Sequence, residues 1–422
     1  MKPSIVPFLR MLSHRSLSAA ALAAFLAAAS PSLRRAAAEE WPQWRGPRRD
    51  GISRERLLAT DWLRRPPPLL WEAEVGTGFS SIAVAEGKAV TMGNARGRDQ
   101  VICFDAADGR ELWRYSYRAE LGPKYYEGGP GATPTIDRKR VYTISKWGQI
   151  HCLELESGRA LWSVDLRKNP GVTPNEWGFA GSALVREGVV YFNAASAGIA
   201  LNAADGRILW HTGPQPTGYA SPVWARLGGK ETLLIFAARQ LVGIDPRTGR
   251  ELWSYPWRTG YANNNADPIV SGSAVFITSY DRGAALLDLS SGKPKPVYAN
   301  KALQTHMAPP ALIRGHLYGF SRHYARRPQL RCVEFASGKV AWSVDNVAAG
   351  SVLGAAEGIL ALYGDGVLAL FRATPQRYEE LARFRALDGR CWTPPALADG
   401  CLYVRNARGR VRCYWIGPEP NQ

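Results

Sequence analysis

Eight stretches of the chain share one pattern of polar and apolar positions: a small residue or Pro, an apolar residue, a short turn, then a β-branched or aromatic run. They span Ser80 to Met92, Thr133 to Ile144, Gly181 to Phe192, Ser221 to Phe236, Asp267 to Ile277, Ala308 to Phe320, Ser351 to Tyr363 and Thr393 to Val404. Short apolar runs bounded by turn residues predict paired β-strands. After most of them comes a turn that opens a further strand. Asp105-Ala-Ala-Asp-Gly109-Arg-Glu-Leu-Trp113 returns as Glu154-Leu-Glu-Ser-Gly158-Arg-Ala-Leu-Trp162, Asn202-Ala-Ala-Asp-Gly206-Arg-Ile-Leu-Trp210, Asp245-Pro-Arg-Thr-Gly249-Arg-Glu-Leu-Trp253 and Glu334-Phe-Ala-Ser-Gly338-Lys-Val-Ala-Trp342. The Trp spacings are 49, 48, 43 and 89, the last being two periods with one masked copy between. That copy is Asp288-Leu-Ser-Ser-Gly292-Lys, leading to a strand around Val297 without the Trp.

Strands of this outer type also count to eight: Leu69 to Val75, Glu111 to Tyr117, Ala160 to Leu166, Ile208 onward, Glu251 to Trp257, Lys295 to Lys301, Val340 to Asn346 and a degenerate Tyr378 to Phe384. The first precedes every other strand, and the chain finishes at Arg410 to Ile416 without an outer partner. The N-terminal strand must then complete the last sheet. The predicted fold is all-β, an eight-bladed β-propeller of four-stranded antiparallel blades, its ring closed by the N-terminal strand so that no long sheet edge is left open. In each turn the acid or Asn accepts from backbone amides and the Gly supplies a positive φ. The tryptophans Trp71, Trp113, Trp162, Trp210, Trp253 and Trp342 are predicted to cover apolar area between blades.

Composition fits this reading. The 422 residues can form one large closed β domain, and 42 Gly with 29 Pro signal many turns and no long helices. Residues 1–38 carry no acid, place Lys2, Arg10 and Arg15 early, and then run apolar from Leu17 to Ala29. This is the pattern of a secretory signal peptide, with Ala36-Ala37-Ala38 as a cleavage site and a cut after Ala29 as the alternative. The apolar run is too short to span a bilayer, which takes about 20 apolar residues. The first Cys is Cys103, so a lipoprotein anchor is not expected. The predicted organisation is a signal peptide at 1–38, an N-terminal segment packed on the propeller at 39–68, the propeller at 69–417 and a tail at 418–422. The predicted location is periplasmic or secreted, without a transmembrane anchor.

Removing five of the 53 basic residues with the leader, and none of the 36 acidic ones, leaves a formal charge of +12. A basic surface attracts acidic proteins, anionic lipid or nucleic acid; export makes nucleic acid the least fitting. Cys103, Cys152, Cys332 and Cys413 share one repeat position with Ala200, Gly243, Leu286 and Ala369, a slot for a small or apolar buried side chain. Their spacing, and that of Cys391 and Cys401, allows a disulfide after export without demanding one.

The turn and strand motif resembles the pyrroloquinoline quinone (PQQ) repeat family, whose signature is Asp-x-x-Ser/Thr-Gly-Lys/Arg-x-x-Trp in eight-bladed propellers. The resemblance covers most of Leu69 to Trp415. It implies the fold, and it points towards both quinoprotein dehydrogenases and the propeller of the outer-membrane β-barrel assembly machinery. Trp41-Pro-Gln-Trp-Arg-Gly-Pro47 with Gly51 is similar to the opening segment of a bacterial subgroup of these proteins. Two departures bear on function. Quinoprotein alcohol dehydrogenases place an adjacent Cys-Cys pair over the quinone, and this chain has no such pair; the assembly propeller carries an acylated N-terminal Cys, also absent.

Propeller topology sends the outer-to-inner connections and the second-to-third-strand turns to one face, here called upper. On that face the candidate binding residues are Tyr125, Tyr126, Trp147, Trp177, Tyr261, Asn263, Asn264, Asn265, His306, Arg322, His323, Arg326 and Asp365. Aromatic residues and Arg combine contact area with directed hydrogen bonds and are enriched at binding hot spots. The long connections Arg118 to Gly131 and Arg167 to Ala180 are expected to stand as one wall. Asn263-Asn264-Asn265-x-Asp267 offers oxygen ligands for Ca²⁺, against the simpler reading of turn chemistry, and no metal site is assigned. The leading expectation is a monomeric, non-catalytic scaffold that binds an envelope protein or other acidic partner, with no cofactor. The alternative is a PQQ-dependent dehydrogenase acting on alcohols or sugars with PQQ and Ca²⁺. A glycan-binding or hydrolytic role is the third.

Overall fold

A computed structural model describes residues 39–57, 62–322, 327–356 and 358–418. The signal-peptide prediction at 1–38 therefore lies outside the described residues, as do His323, Arg326 and nearly all of the tail. Among the described residues the strands form eight four-stranded antiparallel sheets. Blade 1 spans residues 83–118, blade 2 135–165, blade 3 184–211, blade 4 223–256, blade 5 269–300, blade 6 311–344 and blade 7 351–385. Blade 8 joins residues 396–415 to the strand Leu69–Glu74, which pairs antiparallel with Arg410–Trp415. The protein is an eight-bladed β-propeller, closed by its N-terminal strand. Among the described residues no helix is long and apolar enough to cross a membrane.

At four junctions, those of Trp71, Trp113, Trp162 and Trp210, the repeat Trp locks its blade to the next in three ways. Its indole N–H donates to a carbonyl of the following blade: Trp71 to Ala106 at 3.0 Å, Trp113 to Leu155 at 2.8 Å, Trp162 to Ala203 at 3.0 Å and Trp210 to Pro246 at 2.9 Å. Its ring lies against the Gly of the following blade's turn, so that a Cβ on Gly109, Gly158, Gly206 or Gly249 would sit 2.5 to 2.7 Å from the indole. Across the sheet it faces the small slot, as in Cys103 opposite Trp113 and Cys152 opposite Trp162. The turn glycine is thus required twice, by its positive φ and by the ring above it. In blade 5, Tyr298 takes the missing indole's place: it pairs with Leu286, its hydroxyl donates to Phe335 O at 2.9 Å, and a Cβ on Gly338 would meet its ring at 2.6 Å. The six cysteines are all unpaired.

Between blades, apolar side chains of neighbouring sheets interlock; Trp113 and Cys103 of blade 1 pack with Ile136, Val141 and Leu153 of blade 2. Burying 150–250 Å² per aromatic ring contributes about 4–6 kcal/mol of transfer free energy before entropy is counted. At the seam between blades 8 and 1 a buried Arg405 holds the two together. Its guanidinium donates to Ser80 O at 2.9 Å, Met92 O at 2.6 Å and Gly76 O at 3.1 Å, and burial lowers its pKa to about 9.

Around the channel, a backbone N–H just before the inner strand of blades 1 to 4 donates to a side chain of the next blade. Ser81 donates to Thr133, Thr133 to Ser182, Ser182 to Ser221, and Ser221 to the Asp267 carboxylate at 2.7 Å. Inside this ring runs the N-terminal segment, and residues 41–55 hydrogen-bond to every blade. Trp41 bridges to Val84 and Pro42 O accepts from Ile136 N. Arg49 donates to Ala183 O and Pro222 O, Trp44 to Asp267, and Arg45 to Pro310 O. Gly51 and Ser53 pair with Gly354, and Glu55 accepts from Asp399 N and Gly400 N at 2.7 Å each. The segment comes in from the lower face, where Glu40 accepts from Glu86 N in the first turn of blade 1. It reverses near Gly46 and leaves on the same side, plugging the channel.

Candidate functional site

With its lower end plugged, the channel remains open above as a funnel of about 650 Å³. Trp44 contributes to its floor. One wall is built from Phe79, Tyr126 and Trp392, whose rings pack on one another: Phe79 lies 5.5 Å from Tyr126 and 5.8 Å, stacked, from Trp392. The wall across the ring is Trp177, Tyr219 and Tyr261, with Trp177 5.9 Å from Tyr219 and 5.8 Å from Tyr261. Between the walls stand Asn263, Asn265, His306, Met307 and Arg322 on one side and Lys124 and Tyr125 on the other.

The long connections before blades 2 and 3 do form a joined wall, bridged by Lys124 and Glu176 at 2.5 Å. Beneath it Lys146 supports Tyr126, donating to its hydroxyl at 3.0 Å and to Gly122 O. Burial lowers the Lys146 pKa to about 8. At the mouth Tyr125 is 88% exposed and Tyr261 66%. Both sit in left-handed backbone, at φ 63° and 60°. A bulky L-residue at positive φ is uncommon and costs roughly 1–2 kcal/mol.

The funnel's polar groups are mostly neutral or already engaged. His306 is held down to about 4 by burial and by the nearby Arg322 charge; Asn263 meets its Nε2 at 3.3 Å, and Asn265 donates to its carbonyl at 2.9 Å. Asp267 is the carboxylate among the lining residues. One of its oxygens accepts from Ser221 N and the other from the Trp44 indole, each at 2.7 Å. Burial raises its pKa, against the opposing pull of Arg45 and Arg49 beneath it. Burial in turn lowers the pKa of Arg49 to about 10.

The candidates read from the sequence divide accordingly. Tyr125, Tyr126, Trp177, Tyr261, Asn263, Asn265, His306 and Arg322 meet in the funnel. Asn264 does not: it is buried, and its amide is spent on Ala237 O at 2.7 Å. Trp147 lies under the wall, its indole donating to Glu120 O, and Asp365 accepts from Val367 N in its own turn. Trp44, Phe79, Phe179, Met307 and Trp392 belong to the funnel and were not among the candidates. A signal for two of them, and for Tyr219, existed in the repeat register. Phe79 and Tyr219 stand two residues before Ser81 and Ser221 of the hydrogen-bonded ring, and Trp392 holds the matching place in blade 8.

Fold, repeat and funnel together define a PQQ-repeat eight-bladed propeller. More narrowly, the chain belongs to the family described as outer membrane protein assembly factor BamB, which it matches over residues 68–129 and 120–344. It is 24% identical over 233 residues to the BamB of Burkholderia pseudomallei (strain K96243), covering 50% of this chain and 55% of that one. It is 26% identical over 165 residues to quinoprotein ethanol dehydrogenase of Pseudomonas putida, covering 35% of this chain and 26% of that one. The matches thus span about half of the first relative and a quarter of the second. Among solved structures, BamB from Moraxella catarrhalis superposes with a TM-score of 0.64 at 16% identity, covering 83% of this chain and 100% of that one. Quinohemoprotein alcohol dehydrogenase from Comamonas testosteroni does so with a TM-score of 0.69 at 14% identity, covering 92% and 83%. At these identities the likeness is one of fold.

Proposed function

We propose that this propeller is a non-catalytic, extracytoplasmic binding protein that engages an envelope protein or another acidic partner through its upper face. The observation that carries the reading is the pair Tyr125 and Tyr261, exposed at the funnel mouth on left-handed backbone. Tyr125 stays almost fully exposed and Tyr261 gains only an edge contact with Trp177, and strain of this kind collects at ligand-contacting positions. Arg322, which lines the same funnel, supplies the charge an acidic partner seeks. Membership of the BamB family supports the same reading.

A PQQ dehydrogenase would need a metal-held quinone in the funnel. Asp267 has both oxygens engaged, and among the described residues no three His, Cys, Asp or Glu side chains gather as metal ligands. The donors do not fit that cofactor.

The test replaces Tyr125 and Tyr261 together by Asn, which tolerates positive φ. The expected outcome is unchanged or raised thermal stability and at least ~30-fold weaker binding of the partner captured from envelope extract and then purified, as for loss of a hot spot. Wild-type affinity in the double variant, or dye reduction with alcohols after loading PQQ and Ca²⁺, would overturn the reading.

A further inference from the structure

Below the exposed lip, the funnel has a chemistry of its own. Its volume of about 650 Å³ is that of a small-ligand site. Its two aromatic walls offer flat apolar faces. Besides Lys124, Asp267 and Arg322, the lining offers neutral hydrogen-bonding groups: a tyrosine hydroxyl, two amides, and an imidazole that burial keeps unprotonated at neutral pH.

Two of these groups are incompletely filled. Tyr219 is only 7% exposed; its hydroxyl leans on the Trp177 backbone and the Asn175 side chain without a hydrogen bond of full geometry to either. The Asn265 Oδ1 is likewise buried without a partner. A buried polar atom left unpaired is costly, and polar groups in such positions call for a ligand that both donates and accepts. A polyhydroxylated ring does this with hydroxyls around its edge while its C–H face rests on an aromatic wall. A flat aromatic acid without hydroxyl or N–H donors would stack equally well, but it would leave the acceptor Asn265 Oδ1 unmet.

Charge narrows the class further. Lys124 and Arg390 are neutralised by Glu176 and Glu127. Arg322, whose backbone N–H is bound to Gln304 O, has no carboxylate at ion-pair distance among the described residues. Under the floor, Arg45 and Arg49 are offset by the carboxylates of Asp267 and Asp50. That leaves Arg322 as the lining cation suited to one anionic group.

We infer that the funnel is a binding site for an acidic sugar, a pyranose ring bearing one carboxylate, with the ring held between the aromatic walls and the carboxylate directed to Arg322. This goes beyond the protein-binding reading of the lip and uses the interior beneath it. Tyr219 and Asn265 would pair with hydroxyls, and His306 would serve as a neutral donor or acceptor.

The test is calorimetric titration of the mature protein with methyl glucuronide and a galacturonate trimer, alongside methyl glucoside, a Tyr-containing acidic peptide and PQQ as comparators. The uronates are expected to bind at least about tenfold more tightly than the neutral glucoside. Arg322→Gln should reduce uronate affinity to that of the glucoside, and Tyr219→Phe should weaken both sugars several-fold. Trp177→Ala and Trp392→Ala should abolish binding while near-ultraviolet circular dichroism confirms the fold. Equal binding of uronate and glucoside, no sugar binding, or wild-type affinity in Arg322→Gln overturns the inference. Loss of protein binding in the Tyr125, Tyr261 double variant with sugar binding intact separates the two readings.

Discussion

Replacing Gly158 by Ala isolates what the repeat demands of its turn glycine. The matched control is Gly188→Ala. Gly158 has φ +70° and Gly188 φ +78°, so both substitutions place an L-residue in left-handed backbone at a cost of roughly 1–2 kcal/mol. Their surroundings differ. A Cβ on Gly188 meets nothing within 4 Å, whereas one on Gly158 stands 2.5 Å from Trp113 Cε3. The indole must withdraw, which costs about 1–3 kcal/mol for overpacking, and its 2.8 Å hydrogen bond to Leu155 O is worth about 1 kcal/mol. Gly188→Ala should therefore cost about 1 kcal/mol and Gly158→Ala about 3–4 kcal/mol, read as midpoint shifts in urea at constant slope. In a Trp113→Leu background the Gly158→Ala cost should fall to that of the control, a coupling of about 2 kcal/mol. If the two glycine variants agree within about 0.5 kcal/mol, the ring is not what excludes a side chain and the account of the motif fails.

At the seam, Arg405→Leu leaves the carbonyls of Gly76, Ser80 and Met92 buried and unmet, and should cost about 3–5 kcal/mol in the same assay; a loss under about 1 kcal/mol would contradict its closing role. Tyr298→Phe should cost about 1 kcal/mol through the bond to Phe335 O, and Tyr298→Trp should be neutral because Gly338 already provides the seat. Burial raises the Asp99 pKa to about 6, so its stabilising effect is present below the ordinary value of 3.8 and is lost as pH rises through about 6. Burial lowers the His151 pKa from 6.5 to about 4, so its contribution is present above 6.5 and is lost as pH falls through about 4. Relative to wild type, Asp99→Asn should lose stability as pH falls from 6 to 4, and His151→Gln should lose it as pH rises over the same window; parallel profiles for all three proteins would refute both assignments.

The ring of eight was legible because one turn recurs with its glycine and because the first strand has no earlier partner. The masked copy was hidden by a single exchange, Trp to Tyr298, while the seat it needs, Gly338, stayed in plain view. Topology also placed most of the upper face. It failed where adjacent residues diverge: Asn263 and Asn265 turn to the funnel while Asn264 turns inward to Ala237, a choice made by tertiary packing. Phe79 and Trp392 were obscured because their repeat position holds Gly131, Ala180 or Asn265 in other blades. That Trp44 reaches Asp267 was beyond local pattern altogether, since 223 residues separate them.

That separation also orders assembly. The plug is made before any blade, yet its partners run from Val84 in the first blade to Gly400 in the last. Until residue 415 is available and pairs with Pro68 O, the cylinder that surrounds the plug is incomplete. Contacts this distant in sequence form slowly. The earliest residues to emerge must therefore wait for the latest, and an unfinished ring has a vacant centre and two open sheet edges, the surfaces through which partly folded β proteins aggregate.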